Sequence, residues 1–135
     1  MRELTVAATV ENIAVVTNFV KEQLDAVDCP MKAQMQIDIA IDELFGNIAH
    51  YAYTPQTGDA AVRVEIQKDP AAAVITFIDS GIAYNPLAKD DPDITLSAEE
   101  RELGGLGIYM VKKSMDEVSY EYKDGKNHLT IKKKF

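Results

Sequence analysis

A carboxylate and a carboxamide stand four residues apart at Glu43 and Asn47, inside a stretch whose apolar residues recur at helical spacing. Four residues is one helical turn, so both side chains leave the same side of the helix. An amide oxygen is a hard donor of the kind Mg²⁺ accepts, and a carboxylate one turn away can orient or deprotonate an attacking hydroxyl or water. The same pair is also compatible with a solvated helix face. A second candidate is Asp79-Ser80-Gly81, where an acid follows an apolar run. An ionised carboxylate only accepts hydrogen bonds, which suits an exocyclic amine, and Gly81 lets a flat ring come close; a plain turn reads the same way. The third is Gly104-Gly105-Leu106-Gly107 ahead of another helical pattern. Glycines there allow backbone amides to converge on an anion at a helix N-terminus. No Lys-Ser/Thr pair follows and no strand immediately precedes, so neither the Walker nor the Rossmann phosphate loop is present.

The elements that must position these groups follow from periodicity. Met1–Ala8 reads as an edge strand, with Thr9 as a cap for a helix whose core row is Ile13, Val16, Val20 and Leu24. A second helix spans about Met31 to Ala52, with Ile37, Ile41, Leu44, Ile48 and Ala52 inward. Ala61–Lys68 alternates as a half-wet strand, and Ala72–Ile78 is apolar enough for a central one. A helix from Ile108 to Met115 and two strands, Glu117–Tyr122 and His128–Phe135, complete the chain. The last two are joined across Asp124-Gly125, a hairpin signal. The order β-α-α-β-β-loop-α-β-β predicts a two-layer α+β sandwich with helices on one face of a mixed, mostly antiparallel sheet. Residues 83–103 lack periodicity, and a segment of that length reads as a lid or binding loop.

The composition bounds the function. With 135 residues, 47% apolar and 27% charged, one domain with a real core is expected. No apolar run approaches the roughly 20 residues of a membrane helix. No signal peptide is read ahead of the first strand, and a lone Cys29 fits a reducing compartment. These together predict a cytoplasmic protein. A net charge of −8 argues against general nucleic-acid binding; Lys132-Lys133-Lys134 reads as a solvated chain end. An acidic domain that binds a triphosphate calls for a divalent cation.

Taken in order, Glu-x-x-x-Asn on a helix, Asp-x-Gly after a strand and Gly-x-Gly opening a helix resemble the GHKL ATPase superfamily, which includes gyrase B, MutL, histidine kinases and anti-sigma factor kinases. Ile41–Tyr53 looks like its N box, Ile78–Pro86 like its first glycine box and Gly105–Val111 like its second. Met115-Asp116-Glu117-Val118 is similar to the anti-sigma kinase branch, and the likeness runs from Val10 to the final strand. The resemblance implies a Bergerat-type fold over a single domain, 1–135, with residues 83–103 as the ATP lid. It implies ATP and Mg²⁺ as cofactors, Asn47 as the Mg²⁺ ligand and Glu43 as general base. Asp79 and Gly81 would meet the adenine, and Gly104, Gly105, Leu106 and Gly107 the phosphates. The first glycine box departs from the usual pattern in running Ile82-Ala83-Tyr84-Asn85-Pro86, and no cation directly precedes Gly104. Arg101, the nearest one, stands either as a substitute or as an exposed lid charge. The implied function is a serine/threonine protein kinase acting on a small STAS-like anti-anti-sigma partner and regulating a sigma factor, with dimerisation through the first strand and helix. The alternative is a non-catalytic ATP/ADP-binding module that sequesters a partner. His50, three residues after Asn47, is expected to take a hydrogen-bonded packing role, with the border of the pocket as the alternative; Tyr51 and Tyr53 are expected in the core and at the rim, Met110 and Met115 to pack within their helix, and Asp90-Asp91-Pro92-Asp93 to be a solvated turn.

Overall fold

The computed structural model describes residues 1–88 and 105–135. Five strands form one sheet in the order β1-β2-β3-β5-β4, with β1 Arg2–Ala7, β2 Asp59–Gln67, β3 Ala72–Asp79, β4 Glu117–Lys123 and β5 Lys126–Lys134. The sheet, expected from sequence to be mixed and mostly antiparallel, is antiparallel at all four pairings among the described residues. β2–β3 and β4–β5 are local hairpins, and β5 returns beside β3, so no pairing needs a parallel crossover. The β4–β5 hairpin closes with Asp124 and Gly125 at φ 55° and 74°, the left-handed pair that a two-residue turn with the native strand twist requires.

The helices are α1 Ile13–Asp25, α2 Met31–Asn47 and α3 Gly105–Ser114. Val16, Val20 and Leu24 of α1, and Ile37, Ile41, Leu44 and Phe45 of α2, are buried against Val62, Val64, Ile75, Phe77 and Ile131 of the sheet. Burying each such side chain fully is worth about 1.5–3 kcal/mol, which is what holds the two layers together. Thr9 does stand at the N-cap of a short 3-10 turn, Val10–Asn12, but its side chain makes no capping bond. The Asn12 amide instead donates to the Ala7 carbonyl, tying the turn to β1. The second helix reaches Ala52 as the sequence predicts, with its last turn, Ile48–Ala52, widened to π geometry.

The strand period decides what stands at one end of the sheet. Side chains alternate faces, so the row Ala73, Ile75, Phe77 on the core side of β3 continues to Asp79. The row Ile131, Leu129 on β5 continues to Asn127. Asp79 and Asn127 are register partners. Two apolar rows thus end, side by side, in the only buried polar residues among those described.

Candidate nucleotide site

Burying a carboxylate is costly unless hydrogen bonds replace its water. At Asp79, only 6% exposed, Oδ1 accepts from the Gly81 N–H at 2.9 Å and from the Asn127 amide at 3.0 Å. Among the described residues Oδ2 accepts nothing. The carboxylate is therefore fixed through one oxygen and has acceptor capacity left on the other.

The turn that follows is seated on the end of the second helix. The last carbonyls of a helix lack internal partners, and the Ala52 carbonyl takes the Ile82 N–H at 3.1 Å. A Cβ at Gly81 would collide with that carbonyl and come within 2.7 Å of the Ala52 Cβ. The glycine assigned from sequence to the approach of a planar ligand is thus demanded by Ala52 in the first place. Tyr53 adds a second tie: its hydroxyl donates to the Asp59 carbonyl at 2.6 Å and accepts from the Ser80 N–H at 2.7 Å.

Two turns back along the same helix, Glu43 and Asn47 are half-buried on one side, and the Asn47 Nδ2 donates toward Glu43 Oε1 at 3.3 Å. With the nitrogen turned to Glu43, the amide oxygen is the atom left for a cation. Across from them is the start of α3. A Cβ on Gly107 would overlap the Glu43 carboxyl group, so the carboxylate rests directly on the backbone of the first turn of α3. Unpaired N–H groups and the helix field there favour negative charge. The helix begins at Gly105 rather than at Ile108, which puts Gly105, exposed Leu106 and Gly107 inside that first turn.

The second helix therefore connects two segments that are distant in sequence: Glu43, hydrogen-bonded to Asn47, meets Gly107, while Ala52 meets Gly81 beside Asp79. From Glu43 to Ala52 is roughly 13 Å at the helical rise, the scale of an extended nucleoside triphosphate. Arg101, Gly104 and Asp90-Asp91-Pro92-Asp93 lie outside the described residues. Among the described residues no cluster of three His, Cys, Asp or Glu side chains is placed to hold a metal; one carboxylate and one amide suit a cation that keeps its waters and takes further oxygens from a polyphosphate.

Other expectations divide. His50 is exposed and only tilts against Tyr51, with ring centres 6.0 Å apart, so it does not pack inward. Tyr51 is exposed whereas Tyr53 packs on the core; Met115 is buried and Met110 is half exposed. The terminal lysines are more engaged than a solvated end: Lys132 pairs with Glu117 at 3.3 Å, and Lys133 donates to the Ser114 carbonyl at 2.8 Å, capping α3. Asn127 is not singled out by the sequence, and Ala52 only as a member of the inward row of its helix. Counting back by twos from Ile131 and Leu129 leads to Asn127, but it reads as part of the hairpin loop; the close approach of Ala52 to Gly81 leaves no signal.

The model of the histidine kinase-like ATPase domain matches residues 6–133, and the chain belongs to that family, whose nucleotide is ATP. The chain is 28% identical over 100 residues to serine/threonine-protein kinase BtrW of Bordetella bronchiseptica, a match that covers 74% of this chain and 70% of that protein. Serine-protein kinase RsbW of Bacillus cereus is 29% identical over 98 residues, covering 70% of this chain and 60% of the relative, which is less than two thirds of its length. RsbW of Bacillus mycoides is 23% identical over 134 residues, or 96% of this chain and 82% of its own. No helix among the described residues is long and apolar enough to cross a membrane.

Proposed function

We propose that the chain is an ATP-dependent serine/threonine protein kinase domain of the anti-sigma type that acts in the cytoplasm; of the segment 83–103 read as its ATP lid, residues 89–103 lie outside the described residues. The observation that carries this reading is the Glu43 carboxylate lying on the first turn of α3 while Asp79, beside the Ala52 end of the second helix, keeps one carboxylate oxygen without a donor among the described residues. The kinase names of the relatives support it.

In this reading Asp79, backed by Gly81, accepts from the adenine amine. The N–H groups at Gly104, Gly105, Leu106 and Gly107 hold the phosphate oxygens, with Arg101 supplying a positive charge. Asn47 holds Mg²⁺ through its amide oxygen; when bound, the ion neutralises phosphate charge. Glu43 takes the proton from a Ser or Thr hydroxyl of the protein substrate as that oxygen forms its bond to the γ-phosphorus. The bond to the bridging oxygen breaks, and ADP leaves with that oxygen. Most of the acceleration comes from positioning and charge neutralisation rather than from covalent chemistry.

The substrate is a small STAS-like anti-anti-sigma protein. Adding a phosphate of charge about −1.5 to −2 drives it from an acidic kinase surface, and the released kinase, as a homodimer, holds a sigma factor. The test is incubation with ATP, Mg²⁺ and such a partner, read as a phosphate mass shift on the partner. Wild type should produce the shift, and Glu43→Ala should slow it by about 10²–10⁴-fold. No shift with wild type would leave only the non-catalytic binding module, and equal rates in the two proteins would overturn Glu43 as the general base.

A further inference from the structure

Asn127 is buried, and all four hydrogen-bonding positions of its amide are used. Its Nδ2 donates to Asp79 Oδ1 at 3.0 Å and to the Ile82 carbonyl at 2.8 Å. Its Oδ1 accepts from the Tyr84 N–H at 3.1 Å and from the Tyr120 hydroxyl. The orientation of this amide is decided by its neighbours: two pure acceptors face the nitrogen, and a backbone N–H faces the oxygen. Loss of solvation holds the Tyr120 phenol above its ordinary value, so it stays a donor across the physiological range. One side chain therefore joins β4, β5, the end of β3 and the segment 82–84 that leads away from Gly81.

We propose that Asn127 is the positioning residue for base selection: by occupying Asp79 Oδ1 it leaves Oδ2 to face the purine, and so selects a 6-amino over a 6-oxo base. The inference rests on the proposed nucleotide reading of Asp79. An acceptor-only oxygen receives an amino group and repels a carbonyl, and a site built around such a bond discriminates strongly because a wrong partner leaves buried polar groups unpaired. Were the Asn127 amide not there, Asp79 Oδ1 would keep only the Gly81 N–H, and the carboxylate would be free to rotate.

The probes are ATP and inosine 5′-triphosphate, which exchange a 6-amino group for a 6-oxo group with the accompanying proton on N1, titrated with Mg²⁺ against the full chain by calorimetry. Wild type should prefer ATP by at least tenfold. Asn127→Asp, nearly the same shape, puts an oxygen against Asp79 Oδ1 and the Ile82 carbonyl, and should lower the ATP-to-inosine ratio at least fivefold. Tyr120→Phe removes one donor from the amide oxygen without changing packing, and should lower the ratio about threefold. If Asn127→Asp does not fold, Tyr120→Phe alone decides. A merely structural Asn127 would weaken both nucleotides alike; an unchanged ratio in the folded variants overturns the proposal. Asp79→Asn separates this failure from that of the underlying reading. If it too leaves the ratio unchanged, Asp79 is not the base contact; if it collapses the ratio while the Asn127 and Tyr120 variants do not, only the role of Asn127 is wrong.

Discussion

Gly107 shows how one missing carbon serves the site. Inside a helix, alanine is favoured over glycine by about 1 kcal/mol, yet here a Cβ would occupy the space of the Glu43 carboxyl group. That group is the far end of a flexible side chain and can swing aside, so the fold tolerates the change while the carboxylate does not keep its place. Gly107→Ala should therefore leave the melting temperature unchanged or slightly raised. Phosphoryl transfer should fall on the order of 10²-fold, the scale of a misplacement of about 1 Å at a reacting centre. Thermal unfolding and a transfer assay on the same preparation check both halves. A variant as active as wild type would mean that the contact between Glu43 and α3 has no bearing on the chemistry.

At the scale of elements, α2 does two jobs with its two sides. Ile37, Ile41 and Leu44 hold it to the sheet, while Glu43 and Asn47 stand off that row. Both assignments were legible from the 3.6-residue period alone. So were the central β3 and the Asp124-Gly125 hairpin, because each rests on local composition. What the sequence did not reveal depends on register between strands far apart in the chain. Asn127 matters because β5 pairs with β3 such that it lies opposite Asp79, and Gly81 is a glycine because Ala52 arrives there through a widened final turn. Neither pairing leaves a trace in residue types or spacing.

Loss of solvation, and next the neighbouring charge of Asp42, raise the Asp38 carboxyl from its ordinary value of 3.8, with Lys21 of α1 opposing them. A group whose folded pKa is raised favours the fold in its protonated form. That contribution is complete below the unfolded value and is lost as pH climbs through the folded one. Asp38→Asn, neutral at every pH, should thus melt higher than wild type at pH 7, and the difference should close below about pH 4. Melting curves across that range are the check; a variant less stable at pH 7 would contradict the sign.

For the whole molecule, the architecture gathers polar function at one edge of an otherwise apolar interior. The two inner rows of the sheet end in Asp79 and Asn127, the second helix ends in Ala52 beside them, and α3 begins at Gly105 against Glu43. These three segments are joined through side chains and single backbone contacts rather than through a shared ladder, so a ligand spanning them should rigidify them as one unit. Hydrogen–deuterium exchange with and without saturating ATP and Mg²⁺ measures this directly. Exchange should slow together in Ile48–Ala52, in 81–84 and in 105–108, and the protection should be lost when Asp79→Asn is treated with the same nucleotide concentration. Protection confined to one of the three, or none at saturation, would contradict the single cleft on which the proposed activity depends.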